Sequence, residues 1–258
     1  MSENGTRMVE VRGLSYAVGS RSILAGLDFS IERKDFVLVF GPNGAGKSTL
    51  LRLLAGMLRA GKGEVRLAGR NVAAYCRREI AARLCYLPQA DEFALPVLVR
   101  DILLAGRYPY RSIFQKLTPR DREIFAAGVE QFRLGDLLER NMQTLSGGER
   151  KKVLLASAFI QDVPLILLDE PLNFLDPGSA FHLVGMLKDL NREGRTIVVV
   201  AHELEHFFPL ANKMLALKNG TMRYFGARAF SAELLRDVYQ VSFQRVTAAG
   251  REIIFAHE

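Results

Sequence analysis

The sequence predicts an α/β fold: a parallel central sheet, a small antiparallel β-subdomain and an inserted helical subdomain. Three observations carry this. Phe36 to Phe40 is an apolar run without alternation, the pattern of a strand buried on both faces, and Val163 to Leu168 and Thr196 to Ala201 repeat it. The first third of the chain instead alternates apolar and polar residues. From about residue 90 to 144 helical patterns occur without any buried-strand run.

Val9 and Val11 alternate with Glu10 and Arg12, and Leu27, Phe29 and Ile31 with Asp28, Ser30 and Glu32. Val65 and Leu67 continue the pattern after Gly61 and Gly63, so these strands predict a sheet with one wet face. Thr118-Pro119-Arg120-Asp121 is a helix-start signal leading into Ile124, Phe125, Val129 and Phe132. Asp176-Pro177 supplies an N-cap and a first-turn proline, and Leu183, Val184, Leu187 and Leu190 follow at helical spacing up to Gly194. Lys218-Asn219-Gly220, between Met214 to Leu217 and Met222 to Phe225, reads as a hairpin turn. The expected organisation is a single domain, with residues 1–89 and 145–258 forming the core and 90–144 the helical insertion.

With 258 residues, 49% hydrophobic and 24% charged, the chain is long enough to bury a full core. No stretch approaches the roughly 20 apolar residues needed to cross a bilayer, and Met1 to Arg7 lacks a secretory apolar core. The expectation is a cytoplasmic chain that reaches a membrane only through a partner. The net charge of +7 suits an anionic membrane surface or nucleic acid, but no long charge run concentrates it. Cys76 and Cys85 match no metal or redox spacing and are expected to be small packing residues.

The strongest motif is Gly41-Pro42-Asn43-Gly44-Ala45-Gly46-Lys47-Ser48, which fits G-x-x-x-x-G-K-[ST] between a buried strand and a helix carrying Leu50, Leu51, Leu53 and Leu54. Glycines let successive N–H groups turn toward phosphate oxygens, and the helix N-terminus adds its positive end. Lys47 is expected on the β- and γ-phosphates and the Ser48 hydroxyl on Mg²⁺, with Thr49 a candidate contact of the α-phosphate. Leu165 to Leu168 ends in Asp169-Glu170, two carboxylates at the tip of a central strand, where an open α/β sheet places its ligands. Asp169 is the candidate Mg²⁺ holder and Glu170 the candidate general base on the attacking water.

Leu145-Ser146-Gly147-Gly148-Glu149, lying between the phosphate loop and Asp169, resembles the signature motif of ABC ATPases. The resemblance implies the P-loop NTPase fold of that family, ATP and Mg²⁺ as ligands, and ATP hydrolysis coupled to transport. It implies that Ser146, Gly147 and Gly148 face the γ-phosphate held by a second copy, so that two chains pair head to tail. It places Tyr16 as an aromatic stacking on adenine, although a strand tyrosine taken alone is more often a core or edge residue. Gln89, after Tyr86-Leu87-Pro88, resembles the glutamine that touches Mg²⁺ and links the helical lobe to the core. Leu175-Asp176 resembles the loop that communicates across the dimer, and His202 the histidine that senses the γ-phosphate.

A competing pattern exists. His202-Glu203-Leu204-Glu205-His206 satisfies H-E-x-x-H, the zinc-protease motif. That chemistry needs both histidines on one face of a long helix plus a third ligand, whereas His202 abuts a β-run, Pro209 curtails the helix, and no acid or histidine follows until Glu233. A binding-only regulatory role is the other non-transport reading, and the intact Asp169, Glu170 and His202 disfavour it.

Within the ABC family, exporters usually carry their own membrane spans, and translation or repair members carry paired cassettes or long coiled coils. An importer subunit that docks on a separate permease, peripheral on the cytoplasmic side of the inner membrane and served indirectly by a substrate-binding protein, fits this chain best; nucleic acid is not an expected partner. Asp101 to Tyr110, Thr118 to Asp121, and Val238-Tyr239 followed by Val241 resemble subunits serving ferric siderophores, haem and cobalamin, with ferric siderophores preferred. There are departures. Arg150-Lys151-Lys152 stands where a Gln-Arg pair is more usual, Leu172-Asn173-Phe174 where Thr or Ser and His are common, and Glu203 where Asp is frequent.

Overall fold

A computed structural model describes residues 7–89, 96–110, 116–173, 175–229, 231–248 and 251–257. The chain opens with two long strands, β1 (Arg7–Val18) and β2 (Arg21–Glu32), then the short β3 (Phe36–Phe40) and helix α1 (Lys47–Leu54). Strands β4 (Lys62–Leu67) and β5 (Arg70–Asn71), helix α2 (Arg77–Ala81) and strand β6 (Leu84–Leu87) follow. Helices α3 (Val99–Ala105), α4 (Pro119–Gln131) and α5 (Gly147–Gln161) precede β7 (Leu165–Asp169). The chain continues through α6 (Pro177–Arg192), β8 (Thr196–Val200), α7 (Leu204–Phe207), β9 (Lys213–Lys218) and β10 (Thr221–Ala227). It closes with α8 (Ala232–Tyr239) and the hairpin β11 (Ser242–Ala248) and β12 (Arg251–His257).

The alternating segments form an antiparallel sheet in the order β2-β1-β4-β5. The continuous apolar runs form the second sheet, β10-β9-β3-β8-β7-β6, in which every pairing from β9 to β6 is parallel and β10 is an antiparallel edge. Two buried clusters explain why these strands carry no polar face. Val37, Val39, Leu165, Leu167, Val198 and Val200 face the antiparallel sheet and α1. Their neighbours Leu38, Phe40, Ile166, Leu168, Ile197 and Val199 face the helices of the other side. Each fully buried side chain of this size contributes about 1.5–3 kcal/mol relative to exposure. Apolar residues along the runs satisfy both layers, and the buried polar residues Thr196 and Asp169 stand at strand ends.

The helix-start signals act as read. Thr118 Oγ1 accepts from the Asp121 N–H at 3.1 Å while the Asp121 carboxylate accepts from the Thr118 N–H at 3.0 Å, a reciprocal cap. Asp176 Oδ1 accepts from the N–H groups of Gly178 and Ser179, both at 3.0 Å, and opens α6 over Pro177. The β9–β10 turn takes positive φ at both Asn219 (49°) and Gly220 (74°), the conformation a two-residue hairpin turn requires.

Helix α5 begins just beyond the expected insertion and packs against both α3 and α4. Between them lies a buried ion pair: Arg107 Nε donates to Asp121 Oδ1 at 2.8 Å and its Nη1 to the Ile160 carbonyl at 2.9 Å. One expectation is corrected. Cys85 packs partly buried on the core, but Cys76 is exposed at the start of α2, where its N–H donates to Glu79 Oε2 at 2.8 Å. Among the described residues no helix is long and apolar enough to cross a membrane.

Candidate active site

The site forms where β3 and β7 end on either side of β8. Beyond Phe40 the backbone enters the left-handed region at Gly41 (φ 144°), Gly44 (78°) and Gly46 (97°). A Cβ on Gly41 would lie 2.0 Å from the Leu217 carbonyl oxygen, and one on Gly46 would lie 2.6 Å from Leu24 Cδ2. The loop therefore needs glycine both for its dihedrals and for the closeness of β9 and β2.

Lys47, the first residue of α1, is buried and turns its ammonium back onto the loop, donating to the carbonyls of Gly41 at 2.8 Å and Pro42 at 3.0 Å. Burial lowers its pKa, and the nearby Glu170 and Asp169 carboxylates oppose that shift. Ser48 Oγ donates to Asp169 Oδ1 at 3.1 Å, and the Tyr86 hydroxyl donates to Asp169 Oδ2 at 3.3 Å. Asp169 is only 2% exposed, and burial pushes its carboxyl above the usual range, with the Ser48 hydrogen bond pulling the other way.

Glu170 is the focus of the site. Its backbone sits in the left-handed region (φ 50°), tied by its N–H to the Val200 carbonyl at 3.0 Å. A non-glycine residue held there is strained and depends on its surroundings to stay there. Its Oε1 lies 2.7 Å from His202 Nε2, and its Oε2 accepts from Gln89 Nε2 at 2.7 Å and Asn173 Nδ2 at 2.5 Å. Strand ends of β6, β7 and β8 thus deliver one carboxylate and three polar partners to a single point.

A cavity of about 670 Å³ joins these groups, with Asn43, Gly44, Lys47, Ser48 and Thr49 on one wall and Gln89, Glu170, Asn173 and His202 on the other. Its mouth includes Arg21 and Ile23 of β2, which sequence reasoning did not single out. Tyr16 is not among the lining residues. It pairs with Leu24 across the antiparallel sheet and packs partly buried on the cluster beneath. The sequence also gave no sign that Tyr239 reaches the loop, where its hydroxyl accepts from the Gly41 N–H at 3.1 Å.

Ser146, Gly147 and Gly148 are not brought to this cavity. Ser146 caps α5, its Oγ accepting from the Glu149 N–H at 3.2 Å. With Gly148 it lines a separate cavity of about 610 Å³ between α5 and α6, beside Phe181 and Leu175. Asp176 is likewise committed to its α6 cap. Phe174 lies outside the described residues. His202 precedes the four-residue α7 and bonds Glu170, while His206 pairs with Glu203 at 3.4 Å, so the two histidines do not share a helical face. The geometry required of a zinc-protease helix is absent here.

Comparison with known proteins gives the family of the chain. Residues 24–173, which include Gly41 to Ser48, Ser146 to Gly148 and Glu170, match the ABC transporter family model. The chain is 34% identical over 241 residues to the iron(3+)-hydroxamate import ATP-binding protein FhuC of Bacillus subtilis, covering 92% of this chain and 89% of the relative. It is 31% identical over 229 residues to the ferric enterobactin transport ATP-binding protein FepC of Escherichia coli, covering 88% and 84%. A solved structure described as a metal-chelate type ABC transporter in an inward-facing conformation superposes with a TM-score of 0.83 at 26% identity, covering 98% of each chain. The glycine loop that ends in Lys47 and Ser48, the paired acids at the tip of β7 and the Ser146 cap on α5 stand in a chain that belongs to the ABC transporter family of ATP-binding, ATP-hydrolysing subunits.

Proposed function

We propose that this ATPase powers import of a ferric siderophore through a separate membrane permease. Support comes from the relatives of known cargo, whose names carry iron(3+)-hydroxamate, petrobactin and ferric enterobactin, and which align over most of their length. The observation that carries the catalytic part is the Glu170 carboxylate held between His202, Gln89 and Asn173. In this reading Glu170 accepts the proton of the attacking water, and His202 and Gln89 fix its direction. Lys47 and the loop N–H groups hold the phosphates.

Mg²⁺ is the proposed metal. Ser48 Oγ and Asp169 Oδ1 lie 3.1 Å apart, and a hydroxyl beside a buried carboxylate oxygen is a donor set that suits a hard cation. Gln89 is the third proposed contact. When bound, the ion neutralises charge on the β- and γ-phosphate oxygens. The signature and the phosphate loop lie in different cavities of one chain. A head-to-tail pair, in which Ser146 of one copy completes the site of the other, is the arrangement proposed to unite them.

The test is Glu170→Gln. It keeps the size and the hydrogen bonds to Asn173 and Gln89 largely possible but removes the base. Turnover is expected to fall by about 10²–10⁴-fold with ATP affinity retained. Turnover at the wild-type rate would overturn the assignment of the base.

A further inference from the structure

We propose that Lys151 is a positioning residue for hydrolysis, an ammonium that sets the turn from which Glu170 projects. The inference rests on Glu170 being the base. Lys151 stands in the run Arg150-Lys151-Lys152, the departure beyond the signature that the site as described leaves unused. Its Nζ reaches from α5 to the segment after β7 and meets three carbonyls, those of Glu170 at 3.3 Å, Pro171 at 2.9 Å and Asn173 at 3.1 Å. An ammonium has three N–H donors, so each carbonyl has one available. Bonds from a charged donor are about twice as strong as neutral ones.

The segment so held needs holding. Glu170 keeps φ at 50°, a conformation that persists only when its surroundings over-determine it. Among the described residues, the backbone bond that closes this turn onto Glu170 is a long one, from the Asn173 N–H to the Glu170 carbonyl at 3.3 Å. Asn173 in turn donates its side-chain amide to Glu170 Oε2 at 2.5 Å. Lys151 thus fixes both ends of the unit, the base and the donor that aims it. It does so from the helix that Ser146 caps, five residues earlier, so three hydrogen bonds tie that helix to the turn that carries Glu170.

The test compares Lys151→Met, which removes all three donors, with Lys151→Gln, which keeps two, in the full-length chain. Lys151→Met is expected to lower kcat for ATP about tenfold or more, with KM and the affinity for a non-hydrolysable ATP analogue within about twofold of wild type. Lys151→Gln falls between. Added to Asn173→Ala, Lys151→Met costs little more than the larger single loss, because both act through one carboxylate. If Lys151→Met does not fold, the Gln variant and its double with Asn173→Ala carry the same comparison. Unchanged kcat, a loss of nucleotide affinity in proportion to kcat, or additive effects with Asn173→Ala would each overturn the proposal. Wild-type turnover in Glu170→Gln would instead remove the base assignment beneath it, so the two failures are distinguishable.

Discussion

The hydroxyl of Tyr239 accepts a hydrogen bond from the Gly41 N–H at 3.1 Å, so the last residue of α8 holds the first residue of the glycine loop. The ring is fixed between Phe40 and Phe243, with centroids at 6.4 and 5.5 Å. Burial pushes its pKa up to about 12, so the hydroxyl stays neutral through the physiological range. Tyr239→Phe keeps the ring and orphans the Gly41 N–H, at a cost of about 1–3 kcal/mol. A several-fold rise in KM for ATP with kcat little changed is the expected result of steady-state assays. Wild-type KM and thermal stability together would refute the role.

Asp169 trades stability for function. Its carboxyl is raised by burial, so just above the ordinary value of 3.8 the native chain holds its proton more tightly than the unfolded chain. The stability this gives is complete below the ordinary value of 3.8 and is lost as pH rises through the native one. At neutral pH the charged, buried carboxylate therefore opposes folding. Asp169→Asn is expected to raise the melting temperature without nucleotide by about 2–4 °C while abolishing ATPase activity. Melts at about pH 8 and about pH 5 check the sign, since the gain shrinks on acidification.

Gly46→Ala tests the shape of the loop. The substitution meets both a φ of 97° and a contact of 2.6 Å with Leu24 Cδ2. Strain and overpacking together are expected to cost about 2–4 kcal/mol and to remove ATP binding. Denaturant unfolding and nucleotide titration read the two effects separately.

The Arg107–Asp121 pair stitches the helical layer rather than the chemistry. Both side chains are 5% exposed, whereas those of the Arg100–Glu139 pair are 47% and 71% exposed. Breaking the buried pair with Asp121→Ala leaves Arg107 uncompensated and is expected to cost about 3–5 kcal/mol. Glu139→Ala is expected to cost under about 1 kcal/mol. Urea unfolding of the two variants decides it, and equal losses would contradict the reading.

Much of this was legible in local sequence. Phe36 to Phe40 could only be a doubly buried strand, and Gly41 to Ser48 carried its own geometric reason. Asp176 and Thr118 announced their helices because a cap is a contact between near neighbours. What stayed hidden joins distant positions. Tyr239 meets Gly41 across 198 residues and Lys151 meets Asn173 across 22, and neither pairing follows from any periodicity. Arg21 lines the cavity only because β2 runs beside the glycine loop. Cys76 looked like a packing residue because cysteine usually is one, yet the start of α2 is exposed.

The most direct test of the account is the ATPase rate of the chain assembled with its permease and substrate-binding protein, titrated with a ferric hydroxamate, haem and cobalamin. Stimulation by the ferric chelate and by neither of the others is the expected result. Hydrolysis indifferent to the ferric chelate, or stimulated instead by haem or cobalamin, would contradict it.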